Sequence, residues 1–175
     1  EVTAAFPRTD AAAEGYFIKA NILNSEKRYK EAEETCLKGI DRFLVKRQTG
    51  KLHYELGWIY LKEGRPKDAL SEFLSAEKFL DNVALISSAL CKIGDIYFDL
   101  NYLDKAAWAY EAVLKKYPDS PWYDYAQLRI ANIFLETKKY DQAVLAYQSI
   151  LANFPSTKLN TEVMFNLGVA YFNKK

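Results

Sequence analysis

The same small residue returns every 37 positions along this chain, as Ala20, Gly57, Gly94, Ala131 and Gly168. A second column, Ala32, Ala69, Ala106 and Ala143, keeps that step and lies 12 residues after the first. Two registers locked at one period in this range describe a stack of equivalent supersecondary units, each burying its apolar face against its neighbours. Fold and function class are constrained together, because such stacks offer surfaces rather than enclosed reaction chambers.

Other columns follow once the chain is aligned on these. Three residues after the first small residue come Leu23, Tyr60, Tyr97, Phe134 and Tyr171. Four after the alanine come Cys36, Phe73, Tyr110 and Tyr147, and eleven after it Phe43, Leu80, Tyr117 and Phe154. These spacings lie near multiples of the helical turn, so each column tracks one helix face. Every unit therefore reads as two helices. Helix A carries the first small residue and the aromatic after it; helix B carries the alanine and its bulky successors. Small residues let antiparallel helices approach closely, and the adjacent bulky side chain fills the groove beside them. The spacing predicts helices over 10–25, 27–46, 49–63, 66–80, 83–100, 103–116, 121–137, 140–153 and 158–173. Lys62-Glu63-Gly64-Arg65-Pro66 supplies a glycine stop and a proline start, and Pro118-Asp119-Ser120-Pro121 joins one unit to the next.

The series Leu56-Gly57, Tyr60, Ala69, Phe73, Ala76 resembles the tetratricopeptide repeat. Ile93-Gly94, Tyr97, Ala106, Tyr110, Pro118 and Ile130-Ala131, Phe134, Ala143, Tyr147, Pro155 match it again in register, and Leu167-Gly168 with Tyr171 opens another unit. The resemblance implies an all-α, right-handed superhelical α-solenoid with helix A on the concave side. The step is 37 where the family's usual step is about 34; the extra residues fall between helix B and the next helix A. Where the family carries an early Trp, this chain has Tyr16, His53, Leu90, Gln127 and Met164. The whole of 1–175 reads as one array, with repeats at 10–46, 47–83, 84–120 and 121–157 and a partial repeat at 158–175. Phe6-Pro7 stands four periods before Phe154-Pro155, so the chain reads as a slice of a longer array.

Composition excludes more than it selects. A net charge of +1 gives no bulk attraction to nucleic acid or membrane, and the sequence contains no run of 18 apolar residues that could span a bilayer. Cys36 and Cys91 lie a full unit apart and read as buried thiols rather than a disulfide. His53 is the one histidine, so no standard zinc set can be assembled, and no phosphate loop or nucleophile elbow is present. No catalytic residue, metal ligand or cofactor is expected.

What remains is the open face of helix A. It holds Phe17, Asn21, Tyr54, Trp58, Asp95, Leu128 and Asn132, expected to form a groove in which Phe17, Tyr54, Trp58 and Leu128 stay partly open. The resemblance implies that Asn21 and Asn132 hold a ligand backbone, since an amide both donates and accepts. It also implies that the carboxylate clamp of some relatives is missing. The clamp's Lys position holds Phe17, Tyr54, Cys91, Leu128 and Phe165, while Lys92 and Arg129, one residue over, are expected to point elsewhere. The basic turn edge of Lys27, Arg28, Arg65, Lys138, Lys139, Lys174 and Lys175 reads as a solvated rim. The function expected is a non-catalytic scaffold that binds a peptide or helix of a protein partner, with no nucleic acid and no membrane span. Alternatives are a self-assembling homo-oligomer, an RNA-binding array, or a regulatory arm of a larger protein. The Tyr-Pro-Asp-Ser and Phe-Pro-Ser-Thr junctions are similar to repeats of bacterial cell-envelope proteins, namely the Tol–Pal-associated coordinator family and outer-membrane assembly lipoproteins, which implies a periplasmic adaptor.

Overall fold

A computed structural model describes residues 9–43 and 45–174. Among them are nine α-helices: α1 Asp10–Ser25, α2 Tyr29–Arg42, α3 Gly50–Lys62, α4 Pro66–Phe79, α5 Val83–Asp99, α6 Leu103–Lys116, α7 Tyr123–Glu136, α8 Tyr140–Asn153 and α9 Asn160–Asn173. No strand occurs among the described residues. Every helix expected from the spacing is present. The largest departure is at the end of α2, expected to run to 46. Phe43 turns extended there (φ −99°, ψ 120°), and a short 3-10 helix, Lys46–Thr49, leads into α3. Phe6-Pro7 and Lys175 lie outside the described residues.

The helices fall into two compact units, Glu1–Ile96 and Tyr97–Lys175. In the first, Ala20, Ala32, Ala69, Cys36 and Phe73 have no exposed surface. The small column works by contact: a methyl group at Gly57 would lie 2.9 Å from carbons of the Phe73 ring, so only the bare backbone lets α3 and α4 meet there. In the second unit, Leu128, Ala131, Ala143, Val144, Tyr147, Ile150, Val163 and Ala170 form one core shared by α7, α8 and α9.

The turn from helix A to helix B repeats in atomic detail. Lys27, Gly64, Asn101 and Lys138, each 37 residues after the last, all adopt left-handed backbone, with φ of 62°, 74°, 60° and 59°. Each is followed by a residue whose N–H reaches back to the carbonyl five residues earlier: Arg28 to Leu23, Arg65 to Tyr60, Tyr102 to Tyr97 and Lys139 to Phe134, at 2.8–2.9 Å. This closure satisfies carbonyls that the helix end leaves open. Only one of the four positions is the glycine that such a conformation favours. The links into the next helix A are held differently: Ser120 Oγ accepts from the Trp122 N–H at 3.1 Å and Thr157 Oγ1 from the Leu159 N–H at 3.2 Å.

The left-handed column generates a paired prediction. Lys138→Gly should raise unfolding free energy by about 0.5–1 kcal/mol, because the left-handed cost to a side-chain-bearing residue disappears. Gly64→Ala should lower it by about 1 kcal/mol for the converse reason. Urea denaturation followed by circular dichroism checks both signs.

Candidate functional site

In the first unit the open face of helix A centres on α3. Tyr54 and Trp58 lie one turn apart, edge to face with a centroid separation of 6.3 Å. Both stand edge-on to the buried Phe73 ring, at 5.9 and 6.0 Å. The Gly57 contact that seats Phe73 thus also sets the floor beneath the two aromatics. Each remains partly exposed. The Tyr54 hydroxyl is shared with Ser88 Oγ of α5 at 2.8 Å, which fixes the ring's azimuth. Lys92, also of α5, lies over Trp58 with its Nζ 5.3 Å from the ring centroid, and donates to Asp95 at 2.7 Å. An ammonium over an indole face is attracted by the ring quadrupole, and its pairing with Asp95 leaves the cluster close to neutral. Tyr54, Trp58 and Asp95 are therefore brought together, and Lys92 is the residue that links them. The sequence reading had pointed Lys92 elsewhere; its long stem lets it fold across the neighbouring helix instead.

Phe17 and Asn21 lie one turn apart on α1. Phe17 is partly exposed, with Lys51 Nζ 5.5 Å from its ring centroid. The Asn21 amide donates to Glu55 Oε2 at 3.2 Å, and the buried Asn24 amide donates to the other oxygen of the same carboxylate. Lys62 Nζ donates to Asn24 Oδ1 at 2.8 Å. Glu55, only 3% exposed, is a buried charge whose partners come from the preceding helix A. The donor face of Asn21 is thus already engaged within the fold.

The second unit departs further from expectation. Leu128, expected to be partly open, has no exposed surface and belongs to a core that also contains Val163 of the neighbouring helix A, α9. Asn132 is only 9% exposed and serves as a hub. Its Oδ1 accepts from the Tyr147 hydroxyl at 2.7 Å and the Asn166 amide at 3.1 Å, and its Nδ2 donates to Glu162 at 3.4 Å. Burial, with Glu162 adding, pushes the Tyr147 phenol well above its ordinary range, so it stays a hydrogen-bond donor at any physiological pH. Arg129 lies over Phe98 at 4.5 Å, and its Nε donates to the Tyr110 hydroxyl at 3.1 Å. Phe165 and Phe172 of α9 are 71% and 75% exposed, and a methyl group at Gly168 would meet nothing within 4 Å.

Glu55, Ser88, Asn166 and Lys92 were not legible as site residues. A signal existed: Asn21–Glu55, Tyr54–Ser88 and Asn132–Asn166 each span 34 residues, three short of the repeat step. That is the offset at which consecutive A helices face one another.

His53 Nδ1 pairs with Glu72 Oε2 at 2.7 Å. Cys36 and Cys91 are buried and unbridged, and burial, with Glu55, Glu72 and Glu33 adding, pushes the Cys36 thiol well above its ordinary range. Among the described residues no group of three His, Cys, Asp or Glu could hold a metal, and no helix is long and apolar enough to cross a membrane. Along the turn edge, Arg28 is held by Glu26 and Glu31, Arg65 by Glu33, Glu63 and Asp68, and Lys174 by Asp141.

Models of the tetratricopeptide repeat match residues 13–42, 54–121, 91–157 and 128–175. The chain belongs to the tetratricopeptide repeat family. Repeats of this family generally mediate protein–protein interaction and are typically non-catalytic scaffolds. Among solved structures, it is similar to YrrB, a tetratricopeptide repeat protein with an unusual peptide-binding site (19% identity, 91% of this chain and 76% of that one, TM-score 0.70). It is similar also to MamA (17% identity, 93% and 82%, TM-score 0.74). A third likeness is to BtubC from P. vanneervenii (15% identity, 99% and 77%, TM-score 0.79). At these identities the likeness speaks for the fold, an all-α helical repeat of the α-solenoid class. Comparison with curated proteins finds no match.

The hub generates a differential prediction. Asn132→Ala strands the Tyr147 hydroxyl and should cost about 1–3 kcal/mol of stability. Asn21→Ala removes one of the two amides on the Glu55 carboxylate, leaves Asn24 in place, and should cost less, about 0.5–1 kcal/mol. Thermal unfolding of the two variants side by side measures the gap.

Proposed function

We propose that this tetratricopeptide repeat chain is a non-catalytic scaffold that binds a peptide or helix of a protein partner on the helix A face, centred on Tyr54 and Trp58. One observation carries the reading. Two aromatic side chains stand partly open on a rigid floor, locked by Phe73 and Ser88 and flanked by the Lys92–Asp95 pair. Pre-set aromatics lose little freedom when a partner covers them, and Trp and Tyr dominate interface hot spots. Phe17, Asn21 and Lys51 extend the same kind of surface along α1 and α3. An apolar or helical ligand suits the site, since the positions of a carboxylate clamp hold Phe17 and Tyr54. The peptide-binding site of YrrB supports this reading by analogy of fold. The Tyr-Pro-Asp-Ser and Phe-Pro-Ser-Thr junctions support a role as an adaptor in a bacterial cell envelope.

A second reading, self-association, is favoured by α9, where Met164, Phe165, Tyr171 and Phe172 are 57%, 71%, 46% and 75% exposed on a single helix. Light scattering over a concentration range tests it: the mass should rise with concentration and fall back in Phe165→Ser/Phe172→Ser. A strictly monomeric wild-type protein removes it.

For the main reading, peptides selected from a displayed library against the wild-type protein should lose at least ~30-fold in affinity for Tyr54→Ala/Trp58→Ala. Helicity should be unchanged. Peptides that bind both proteins equally would move the site off this face.

A further inference from the structure

We infer that the occupant of the helix A face in the first unit is an uncharged, proline-rich segment in the extended polyproline II conformation. The inference rests on the Tyr54–Trp58 reading above and selects between the two ligand forms, peptide and helix, that it admits.

Charge sets the first condition. Six ionised side chains of α1, α3 and α5 border this face: Glu14, Glu55 and Asp95 against Lys51, Lys62 and Lys92. All six are matched within the fold. Lys51 donates to Glu14 at 2.6 Å and Lys92 to Asp95 at 2.7 Å. Lys62 reaches the buried Glu55 carboxylate through the Asn24 side chain, which accepts from Lys62 at 2.8 Å and donates to Glu55. A charged ligand would be stripped of water here while competing for partners already taken. The complementary occupant is uncharged.

Hydrogen bonding sets the second. The Tyr54 hydroxyl is shared with Ser88, and both Glu55 oxygens accept amides, from Asn21 and Asn24. The Trp58 indole N–H differs: it has no acceptor among the described residues and is not sealed from solvent. It is a free donor one turn from Tyr54. Through the body of an α-helix each carbonyl is spent on the N–H four residues on. A helical ligand laid across Trp58 would cover this donor and offer it nothing, at the cost of an unmet hydrogen bond. Polyproline II has no internal hydrogen bonds, so its carbonyls stay available, and each proline adds an acceptor without adding a donor. Asn21 Oδ1, on an exposed residue, remains for the N–H of a residue between the prolines.

Spacing then gives the register. Phe17 and Tyr54 share one column on α1 and α3, which are joined side by side through Asn21 and Glu55. Packed helix axes lie about 8–10 Å apart, and polyproline II repeats every three residues, about 9 Å. Prolines at i and i+3 therefore keep step with the two rings. Aromatic-lined grooves take proline-rich segments in this way, because ligand and groove are both pre-formed.

The test titrates the full chain with a capped peptide of four Pro-Pro-Ala repeats and follows the Trp58 indole N–H by NMR, its signal assigned through Trp58→Phe. The peptide should move that signal, and Tyr54→Ala/Trp58→Ala should lose at least ~30-fold in affinity. Trp58→Phe keeps a ring but removes the donor, and should lose about 3- to 10-fold. Peptides of Pro-Pro-Glu or Pro-Pro-Lys repeats should bind more weakly than the neutral one. Three results would overturn the inference: a Trp58 signal unmoved at millimolar peptide; equal affinity for Trp58→Phe and the wild-type protein; or a charged peptide binding more tightly than the neutral one. Helical peptides that bind through Tyr54 and Trp58 where Pro-Pro-Ala repeats do not would sink this inference and leave the helix A reading standing. Binding of either kind that ignores Tyr54→Ala/Trp58→Ala would sink both.

Discussion

The structure depends on one contact, the approach of a bulky helix B side chain onto a residue of helix A that has almost none. At Gly57 the Phe73 ring comes so close that a single methyl group would collide. That seat buries Phe73 completely and makes it the floor for Tyr54 and Trp58. A core contact and a surface feature are therefore the same event. Widening the gap would both open the hairpin and release the two aromatics to many rotamers, so the core packing and this part of the surface cannot be tuned separately.

The two units use the equivalent A–A surface in opposite ways. In the first it remains open around Tyr54 and Trp58. In the second, Leu128 is sealed and Asn132 is taken up by Tyr147, Asn166 and Glu162. Asn21 and Asn132 share a column, yet one is exposed and donates to a single carboxylate while the other is a three-way junction. A column specifies a direction on a helix; the partners that converge there are specified by the neighbouring helix. An asparagine can serve either outcome because its amide donates and accepts at once.

This also explains what could be read in advance. Helix positions and the buried Ala and aromatic columns followed from periodicity, because each depends on intervals within one hairpin. Burial of Leu128 did not, since it depends on how far the next helix A leans over the previous one. Lys92 was misjudged for a similar reason: its stem is long enough to carry the ammonium over the Trp58 ring of the neighbouring helix A. Two of the left-handed positions were hidden because Lys27 and Lys138 are not residue types that announce such a turn, whereas Gly64 and Asn101 are. The common 37-residue spacing was visible, but the two lysines gave no reason to look there.

The lengths of the connections distinguish two kinds of joint. Every turn inside a hairpin has three residues, 26–28, 63–65, 100–102 and 137–139, and each described one is closed by the same backbone bonds. The links from helix B to the next helix A vary, from three residues at 80–82 to six at 117–122 and at 154–159, and seven at 43–49. Length can be edited in these links without disturbing a left-handed turn or the seat of an aromatic on its small partner. They are the seams at which such a protein can take an insertion, a tag or a grafted loop.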